Sequence, residues 1–373
     1  MKSLTIKLPF FLWAINIIFV QVTASEVNST SSPKLTPALN SFCKKLDDRF
    51  KKYGWDKSEC ETYDWVHVRN SVLGDPLTWT IFGDVSDEEK PSFKQKDVAF
   101  VMCGVHGDEI TPIKFCFDIM KYLKTVYADP EIMKKDFANK IVIVAPLVNP
   151  DSFFKVRPTR VNARGVDVNR NFPTKDWARD ARKLWISHFR KDKRRNPGIT
   201  ASSEPEVIFQ INLIKRYGPD KIISVHSPLT MLDYDGPNTI VDGFVDGAKA
   251  HELLIQMSKD ASDYKIENYP FFPGSLGNWA GKERDIPTYT LELPTSDPAK
   301  SAQYWKLFKS AIHNAIAHDL KEKPVEKVTP KLAEKSPPAQ LSEKPINHQE
   351  APIKVEEQKT SERESSTKPL EID

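Results

Sequence analysis

Residues 105–112 read VHGDEITP and follow the apolar run VAFVMCG. His106 and Glu109 therefore lie three positions apart, where a buried strand is predicted to end and a helix to begin. Catalytic zinc commonly takes two histidines and one glutamate as ligands and leaves a fourth position for water. A pair with this spacing is a weak signal by itself, because such pairs occur often by chance. A metal site at this point needs a third ligand from another segment.

The histidine that fits is His226, which ends the apolar run KIISV in the sequence SVHSP. The other histidines fall in a hairpin, in polar helical runs or near the C-terminus. We therefore predict one Zn²⁺ ion held by His106, Glu109 and His226. The alternative interpretation is that His106 caps a helix, that His226 is an imidazole of the core, and that the two bind no common metal ion. Glu292, in TLELP at another strand end, is the expected general base, since a carboxylate facing the open metal position can accept a proton from water.

The segment KVRPTRVNARGVDVNRNFP, residues 155–173, carries four arginines: Arg157, Arg160, Arg164 and Arg170. Guanidinium groups bind carboxylates through two parallel hydrogen bonds and can stabilise an oxyanion as it forms. The segment therefore predicts a loop that binds substrate. A basic loop that faces solvent is the alternative, and it could account for one or two of the four.

The elements that must position these residues are alternating strands and helices. DWVHVRNS and LTWTIFGD read as a hairpin, and DVAFVMCGV, KIVIVAPLV, KIISVHS and IPTYTLELP read as buried strands. Helical patterns separate most of the buried strands, which is typical of an α/β domain with a largely parallel sheet covered on both faces. Ligands of such sheets bind beyond the carboxyl ends of the strands. His106, Asn149, Asp151, His226 and Glu292 all fall at those ends.

Both ends of the chain differ from this central part. Residues 1–24 have early lysines, an apolar stretch and small residues before Ala24, as in a secretory signal peptide. Residues 25–39 are expected to be a flexible segment, and residues 40–320 the catalytic domain. Residues 321–373 are rich in Lys, Glu, Pro and Ser, so we expect a disordered tail. The protein is predicted to be exported, to a periplasm or the medium.

The composition argues against nucleic acid as a partner. The chain has 54 basic and 51 acidic residues, a net charge of only +3. The basic run Ala181–Arg195 is interpreted as a solvated helical face. No membrane-spanning segment is visible inside the central part, so no stable membrane insertion is expected after signal cleavage. The oligomeric state is not predicted.

Four cysteines are treated as structural. Cys43 and Cys60 lie in one polar region, and an exported protein could pair them. Cys103 and Cys116 fall on an apolar strand end and an apolar helix face, where free thiols serve as small hydrophobic groups. None has the CxxC spacing of a metal site.

Five motifs taken in order carry a family resemblance. HGDE, NPDSFFKVRPTR, GVDVNRNFP, SVHSP and TLELP resemble the zinc metallocarboxypeptidases of the carboxypeptidase A type, over roughly residues 65–315. The resemblance implies an α/β fold: a single domain with a mixed, mostly parallel eight-stranded sheet flanked by helices on both faces. It also implies one zinc ion on His106, Glu109 and His226, with Glu292 as the catalytic glutamate.

The resemblance assigns roles to four more residues. Arg157 matches the arginine that polarises the scissile carbonyl, and Asn169 with Arg170 matches the pair that binds a free substrate carboxylate. Asp167 matches the aspartate behind the first zinc histidine, which fixes the ring's tautomer and orientation. No tyrosine is assigned to the mobile tyrosine of the digestive enzymes.

Within this family, RPTRVNARGVDVNRNFP and FPGSLGNWAGKERDIPTYTLELP look most like the bacterial murein tripeptide amidases. Those enzymes cut the γ-D-glutamyl to meso-diaminopimelate bond of peptidoglycan peptides. The sequence thus predicts an exported zinc peptidase with a peptidoglycan peptide as its substrate. Two alternatives stay open. One is a carboxypeptidase that removes a C-terminal residue from muropeptides or ordinary peptides, and the other is a non-catalytic module that binds the cell wall.

Overall fold

The computed structural model of this chain describes residues 35–237, 240–241, 244–245 and 247–320. The predicted signal peptide, residues 25–34 and the predicted tail lie outside the described residues, so the expectations about them stay predictions. The first described helix begins at Pro37, just before the expected start of the domain at residue 40.

The described part of the chain contains eight α-helices: α1 Pro37–Lys52, α2 Ile110–Ala128, α3 Pro130–Ile132, α4 Pro150–Phe153, α5 Arg182–Ser187, α6 Pro205–Tyr217, α7 Ala248–Asp260 and α8 Ser301–Ala317. Their ends follow local sequence signals. Proline occupies the first turn of α1 and α6, where its missing N–H costs nothing. α6 is capped at its C-terminus by Gly218, which has a left-handed φ of 53°.

Nine strands are described: β1 Val66–Asn70, β2 Pro76–Phe82, β3 Asp97–Met102, β4 Lys140–Ala145, β5 Lys221–His226, β6 Met231–Asp235, β7 Ile240–Val241, β8 Phe244–Val245 and β9 Thr288–Glu292. Seven of them form one sheet in the order β1-β2-β4-β3-β5-β9-β6, and within the described residues β7 and β8 form a separate two-stranded sheet. The predicted hairpin and the four predicted buried strands are all present.

The prediction of an α/β domain with a mixed sheet is confirmed, but the strand count is wrong. The sheet has seven strands among the described residues, not eight. It is also less parallel than expected, since β1–β2, β2–β4 and β6–β9 are antiparallel while β3–β4, β3–β5 and β5–β9 are parallel. The antiparallel pairs involve the strands of the opening hairpin and β6. The strand β6 is short and lies at the edge of the sheet, antiparallel to β9.

Helices cover both faces of the sheet, as predicted. Alternate residues of β3 and β4 point to opposite sides, so Val101 packs into one core and Phe100 into the other. The first core contains side chains of α1, α2, α7 and α8. The second contains side chains of α6 together with Phe172 and Trp279. Two apolar cores on opposite faces hold the central strands β3, β5 and β9 in a fixed register.

All four cysteines form disulfides. Cys43 in α1 pairs with Cys60, with their Cα atoms 5.4 Å apart. Cys103 after β3 pairs with Cys116 in α2, at a Cα separation of 6.2 Å. The expectation of free thiols at Cys103 and Cys116 is therefore wrong. The strand end and the first helical turns lie close enough for a covalent bond, which spacing along the sequence does not reveal.

Among the described helices, none is both long enough and apolar enough to cross a membrane.

Candidate metal centre and active site

Three buried side chains meet beyond the carboxyl ends of β3 and β5. His106 lies in the turn after β3, Glu109 is the residue before α2, and His226 is the last residue of β5. Because β3 and β5 are parallel neighbours, their carboxyl ends lie side by side. One ligand atom of each residue lies within 4.8 Å of the others. The structure thus brings together the three predicted metal ligands from distant segments.

Contacts within this group orient the two imidazole rings. Nδ1 of His106 is 2.6 Å from Oε1 of Glu109, and Nδ1 of His226 is 2.9 Å from Oε2 of the same carboxylate. The opposite ring nitrogens contact other groups: Nε2 of His106 is 3.1 Å from Asp167, and Nε2 of His226 is 2.9 Å from the Ser224 hydroxyl. Both Nδ1 atoms therefore face the shared centre, and Asp167 lies behind His106 where the resemblance places it.

The carboxylates of Glu109 and Asp167 are held in their ionised form. Burial favours the neutral form of Glu109, but His106 and His226 hold its pKa well below the usual range. Burial likewise opposes the charge on Asp167, and Arg160 and His106 lower its pKa. Metal ligands must be deprotonated carboxylates and neutral imidazoles. Two nitrogens and one ionised carboxylate, with the far nitrogens held by polar side chains, fit the donor set of a zinc centre.

Glu292 lies beside this group at the end of β9. It pairs in register with His226 on β5, so the two side chains occupy neighbouring positions on the sheet. Its carboxylate is nearly buried and accepts a hydrogen bond from the backbone N–H of Leu229 at 3.3 Å. Burial raises its pKa, with a further contribution from Glu109. A carboxylate with a raised pKa next to a metal group can accept and return a proton near neutral pH.

Asn169 and Arg170 line the same cavity as the metal group. They belong to a short 3₁₀ turn, Val168–Arg170, in which the backbone N–H of Asn169 donates to the Asp167 side chain at 3.0 Å. Leu276 donates its backbone N–H to Oδ1 of Asn169, and the Arg170 guanidinium stacks on the Phe272 ring at 4.4 Å. Burial lowers the pKa of Arg170 to about 10. Its Nε is buried and has no hydrogen-bond partner within the described residues.

The remaining arginines of the loop separate into two groups. Arg160 lines the cavity, where its Nε donates to Asp167 at 3.0 Å and its Nη1 to Glu109 at 3.1 Å. Arg157 and Arg164 are more exposed, and neither lines the cavity. The structure therefore does not bring Arg157 to the metal group. Its role in polarising the scissile carbonyl stays a prediction.

Sequence reasoning missed several residues that line this cavity of about 270 Å³. Asp233 and Asp235 of β6, Tyr269, Arg194 and Arg195 all belong to its wall. The sequence predicts one helical face over the basic run Ala181–Arg195, yet the α-helix covers only Arg182–Ser187, and Lys193–Arg195 forms a separate 3₁₀ turn. The acidic residues alternate with apolar ones in MLDYD, and this alternation was the available sign of a strand.

Comparisons with known proteins agree with the fold and the site. A family model described as zinc carboxypeptidase matches residues 60–312. The chain therefore belongs to the zinc carboxypeptidase family, and it is a zinc metallopeptidase. The solved carboxypeptidase A of Helicoverpa armigera is 19% identical, with a TM-score of 0.55 over 76% of this chain and 73% of that one. That likeness concerns the fold alone.

Two relatives are more similar in sequence. The chain is 30% identical over 226 residues to murein peptide amidase A of Vibrio campbellii, which covers 60% of this chain and 77% of that protein. It is 28% identical over 237 residues to murein peptide amidase A of Escherichia coli K12, covering 62% and 83%.

Proposed function

We propose that this protein is an exported zinc peptidase that hydrolyses peptidoglycan-derived peptides at the γ-D-glutamyl to meso-diaminopimelate amide bond. The observation that carries the proposal is the convergence of His106, Glu109, His226 and Glu292 at one end of one cavity. The substrate class is supported by similarity to the two murein peptide amidases.

The residues have distinct roles in this reaction. His106, Glu109 and His226 would hold zinc, which supplies a Lewis acid for the scissile carbonyl and lowers the pKa of water. Glu292 accepts a proton from the attacking water as its oxygen bonds to the carbonyl carbon. The carbon–nitrogen bond then breaks, and Glu292 returns the proton to the leaving amine. Asn169 and Arg170 hold the free carboxylate on the leaving side, which positions the amide.

Export is supported by two observations. The N-terminal 24 residues have the charge and apolar pattern of a signal peptide. All four cysteines are paired in disulfides, which persist in oxidising compartments and are rare in the cytosol. A polypeptide exported to the cell wall also has access to peptidoglycan peptides.

The runner-up is a carboxypeptidase that removes a C-terminal residue from muropeptides or ordinary peptides. The same metal group, Glu292 and carboxylate-binding pair serve both reactions, so the substrates must be compared directly. The purified protein should be incubated with L-Ala-γ-D-Glu-meso-diaminopimelate, with the corresponding tetrapeptide and with simple α-linked peptides. Mass spectrometry is expected to show free diaminopimelate from the tripeptide. Release of residues from the α-linked peptides alone would contradict the amidase proposal.

Replacing Glu292 by glutamine tests the proton transfer. Glu292→Gln keeps the shape of the side chain but cannot accept a proton, so we expect normal zinc content and a loss of kcat of roughly 10²- to 10⁴-fold. Glu252→Gln, at an exposed position of α7, serves as the matched control and should retain full activity. Full activity of Glu292→Gln would remove this residue from the mechanism.

A further inference from the structure

Two carboxylates line the active-site cavity apart from the metal group. Asp233 and Asp235 lie two residues apart on β6, so their side chains project from the same face of the sheet. Leu232 and Tyr234 point to the opposite face and pack in the first core. Both aspartates line the cavity that also contains the metal group.

Strand register gives the position of the two aspartates relative to Glu292 and His226. Glu292 pairs with His226 on one side and with Met231 on the other. These three neighbouring strand positions are called the catalytic row. Asp233 lies two residues further down its strand, opposite Thr290, and Asp235 two residues beyond that, opposite Thr288. At about 3.3 Å per residue, the Cα atoms of Asp233 and Asp235 lie roughly 7 and 13 Å along the strand from the catalytic row.

Neither aspartate is neutralised by the protein. Asp233 accepts the backbone N–H of Tyr269 at 3.0 Å, which fixes its carboxylate. Asp235 accepts no hydrogen bond among the described residues, and burial together with Asp233 raises its pKa to about 7. No lysine, arginine or histidine forms an ion pair with either carboxylate within the described part of the chain. Asp233 is buried and Asp235 is half-buried, so two neighbouring carboxylates without a cation are costly, and a cationic ligand would lower that cost.

Two glycines next to Asp235 leave the space that its side chain occupies. A Cβ atom at Gly277 would lie 1.7 Å from Oδ2 of Asp235, and one at Gly281 would lie 2.6 Å from its Cβ. Any larger residue at these positions would displace the carboxylate. Gly277 and Gly281, both in the turn Gly277–Lys282, thus allow Asp235 to lie in the wall of the cavity.

We infer that Asp233 determines specificity by binding the ammonium group on the side chain of the leaving residue, and that the negative charge of Asp235, one step further along the strand, reinforces this preference. The inference rests on the proposed function and identifies the part of the substrate that this end of the cavity recognises. An ammonium group at the end of a four-carbon side chain lies roughly 6 Å from its Cα, which matches the depth of Asp233. Diaminopimelate and lysine residues both carry such a group, and norleucine has the same chain length without it.

Three substrates that differ only in the leaving residue test the inference. The zinc-loaded protein is assayed with L-Ala-γ-D-Glu joined to meso-diaminopimelate, to L-lysine or to L-norleucine. We expect kcat/KM for the two cationic residues to exceed that for norleucine by roughly 100-fold, because a buried carboxylate without its partner is strongly disfavoured. Equal cleavage of the norleucine substrate would overturn the inference while leaving the amidase proposal intact.

Isosteric variants assign the discrimination to the two aspartates. Asp233→Asn and Asp235→Asn should each reduce the preference for lysine over norleucine to less than roughly 10-fold. Asp263→Asn, on an exposed loop where asparagine tolerates the left-handed φ of 55°, is the matched control and should keep the full preference. A wild-type preference in both cavity variants would overturn the assignment.

Binding to an inactive protein separates this inference from the proposed function. Zinc-loaded Glu292→Gln is titrated calorimetrically with the same three compounds and with α-linked peptides that end in lysine or norleucine. Tighter binding of the lysine peptides, lost with Asp233→Asn, would support the cation site even if no γ-linked amide is hydrolysed. Equal binding of lysine and norleucine compounds in both series would contradict it.

Discussion

His106 and His226 each have one ring nitrogen near Glu109 and the other near a second polar side chain. The contact between Nε2 of His106 and the ionised Asp167 favours the tautomer in which Nε2 carries the proton and Nδ1 the lone pair. Ser224 can hold His226 in the same way. Burial prevents water from replacing these contacts. Each ligand is thus orientated by the protein before a metal ion binds, which is what a zinc site requires.

Arg157 and Arg160 should have different effects when replaced. Arg160→Ala would leave Glu109 and Asp167 buried without their shared cation, so we expect destabilisation of about 3 kcal/mol and weaker zinc binding. Arg157 is exposed, so Arg157→Ala should keep stability and zinc content while lowering kcat/KM by roughly 10²-fold if it reaches the substrate carbonyl. Urea denaturation, metal analysis and steady-state kinetics distinguish the two. Wild-type kcat/KM in Arg157→Ala would exclude its predicted role.

At the scale of elements, a strand and a helix that present two metal ligands are joined covalently. Cys103 follows β3 and Cys116 lies in α2, so the disulfide closes the segment that contains His106 and Glu109. The second disulfide, Cys43–Cys60, lies in the N-terminal region and joins α1 to a short turn. The chain therefore offers an internal control, one disulfide enclosing the metal ligands and one remote from them in sequence.

Removing each disulfide should separate stability from metal affinity. We expect Cys103→Ala with Cys116→Ala, and Cys43→Ala with Cys60→Ala, each to lower the free energy of unfolding by about 3 kcal/mol, because their loops span 13 and 17 residues. Only the first pair should also weaken zinc binding, measured by competition with a chelator. Equal zinc affinity in the two double variants would show that the first disulfide does not support the metal ligands.

The loop that contains Arg160 and Arg170 is anchored to the start of α6. Asn162 donates its amide to Glu204 at 2.7 Å and to Glu206 at 2.9 Å. Burial raises the pKa of Glu206 to about 7, and its Oε1 has no hydrogen-bond partner within the described residues. Since the folded protein binds this proton more tightly than the unfolded chain does, stability should fall as pH rises from about 4.5 through about 7.

Glu206→Gln should remove this pH dependence. The variant is expected to be more stable than the wild type at pH 8, by an amount on the order of 3 kcal/mol at most, and to lose this advantage near pH 4.5. Urea denaturation of both proteins at the two pH values, with the metal removed, measures the difference. Glu252→Gln, at an exposed position of α7, should show no pH-dependent difference in stability from the wild type. A stability difference between Glu206→Gln and wild type that is the same at both pH values would contradict the assignment.

At the scale of the whole molecule, the sequence predicted the parts that depend on local pattern. Continuous apolar strands and amphipathic helices identified the α/β class, and polar residues after those strands identified His106, His226 and Glu292. The residues that sequence reasoning missed depend on contacts between distant segments. Arg194 and Arg195 reach the cavity from a run that reads as a surface helix, and the pairing of Cys103 with Cys116 depends on how α2 packs against β3.

The strand β6 is also difficult to predict from the sequence. Its residues MLDYD contain two acids, so the segment lacks the apolar run that identifies the parallel strands of the sheet. β6 forms because it pairs with β9 at the sheet edge, which leaves one of its faces open to the cavity. The acids that make the strand hard to predict are the same ones that we infer to bind the substrate.

The zinc content of the purified protein and its variants is the most direct test of the metal group. We predict one zinc ion per chain in the wild type and in Glu292→Gln, and close to none in His226→Ala, by inductively coupled plasma mass spectrometry. His188→Ala, at an exposed position, is the matched control and should retain one ion. A full zinc complement in His226→Ala would contradict the claim that His106, Glu109 and His226 bind one ion together.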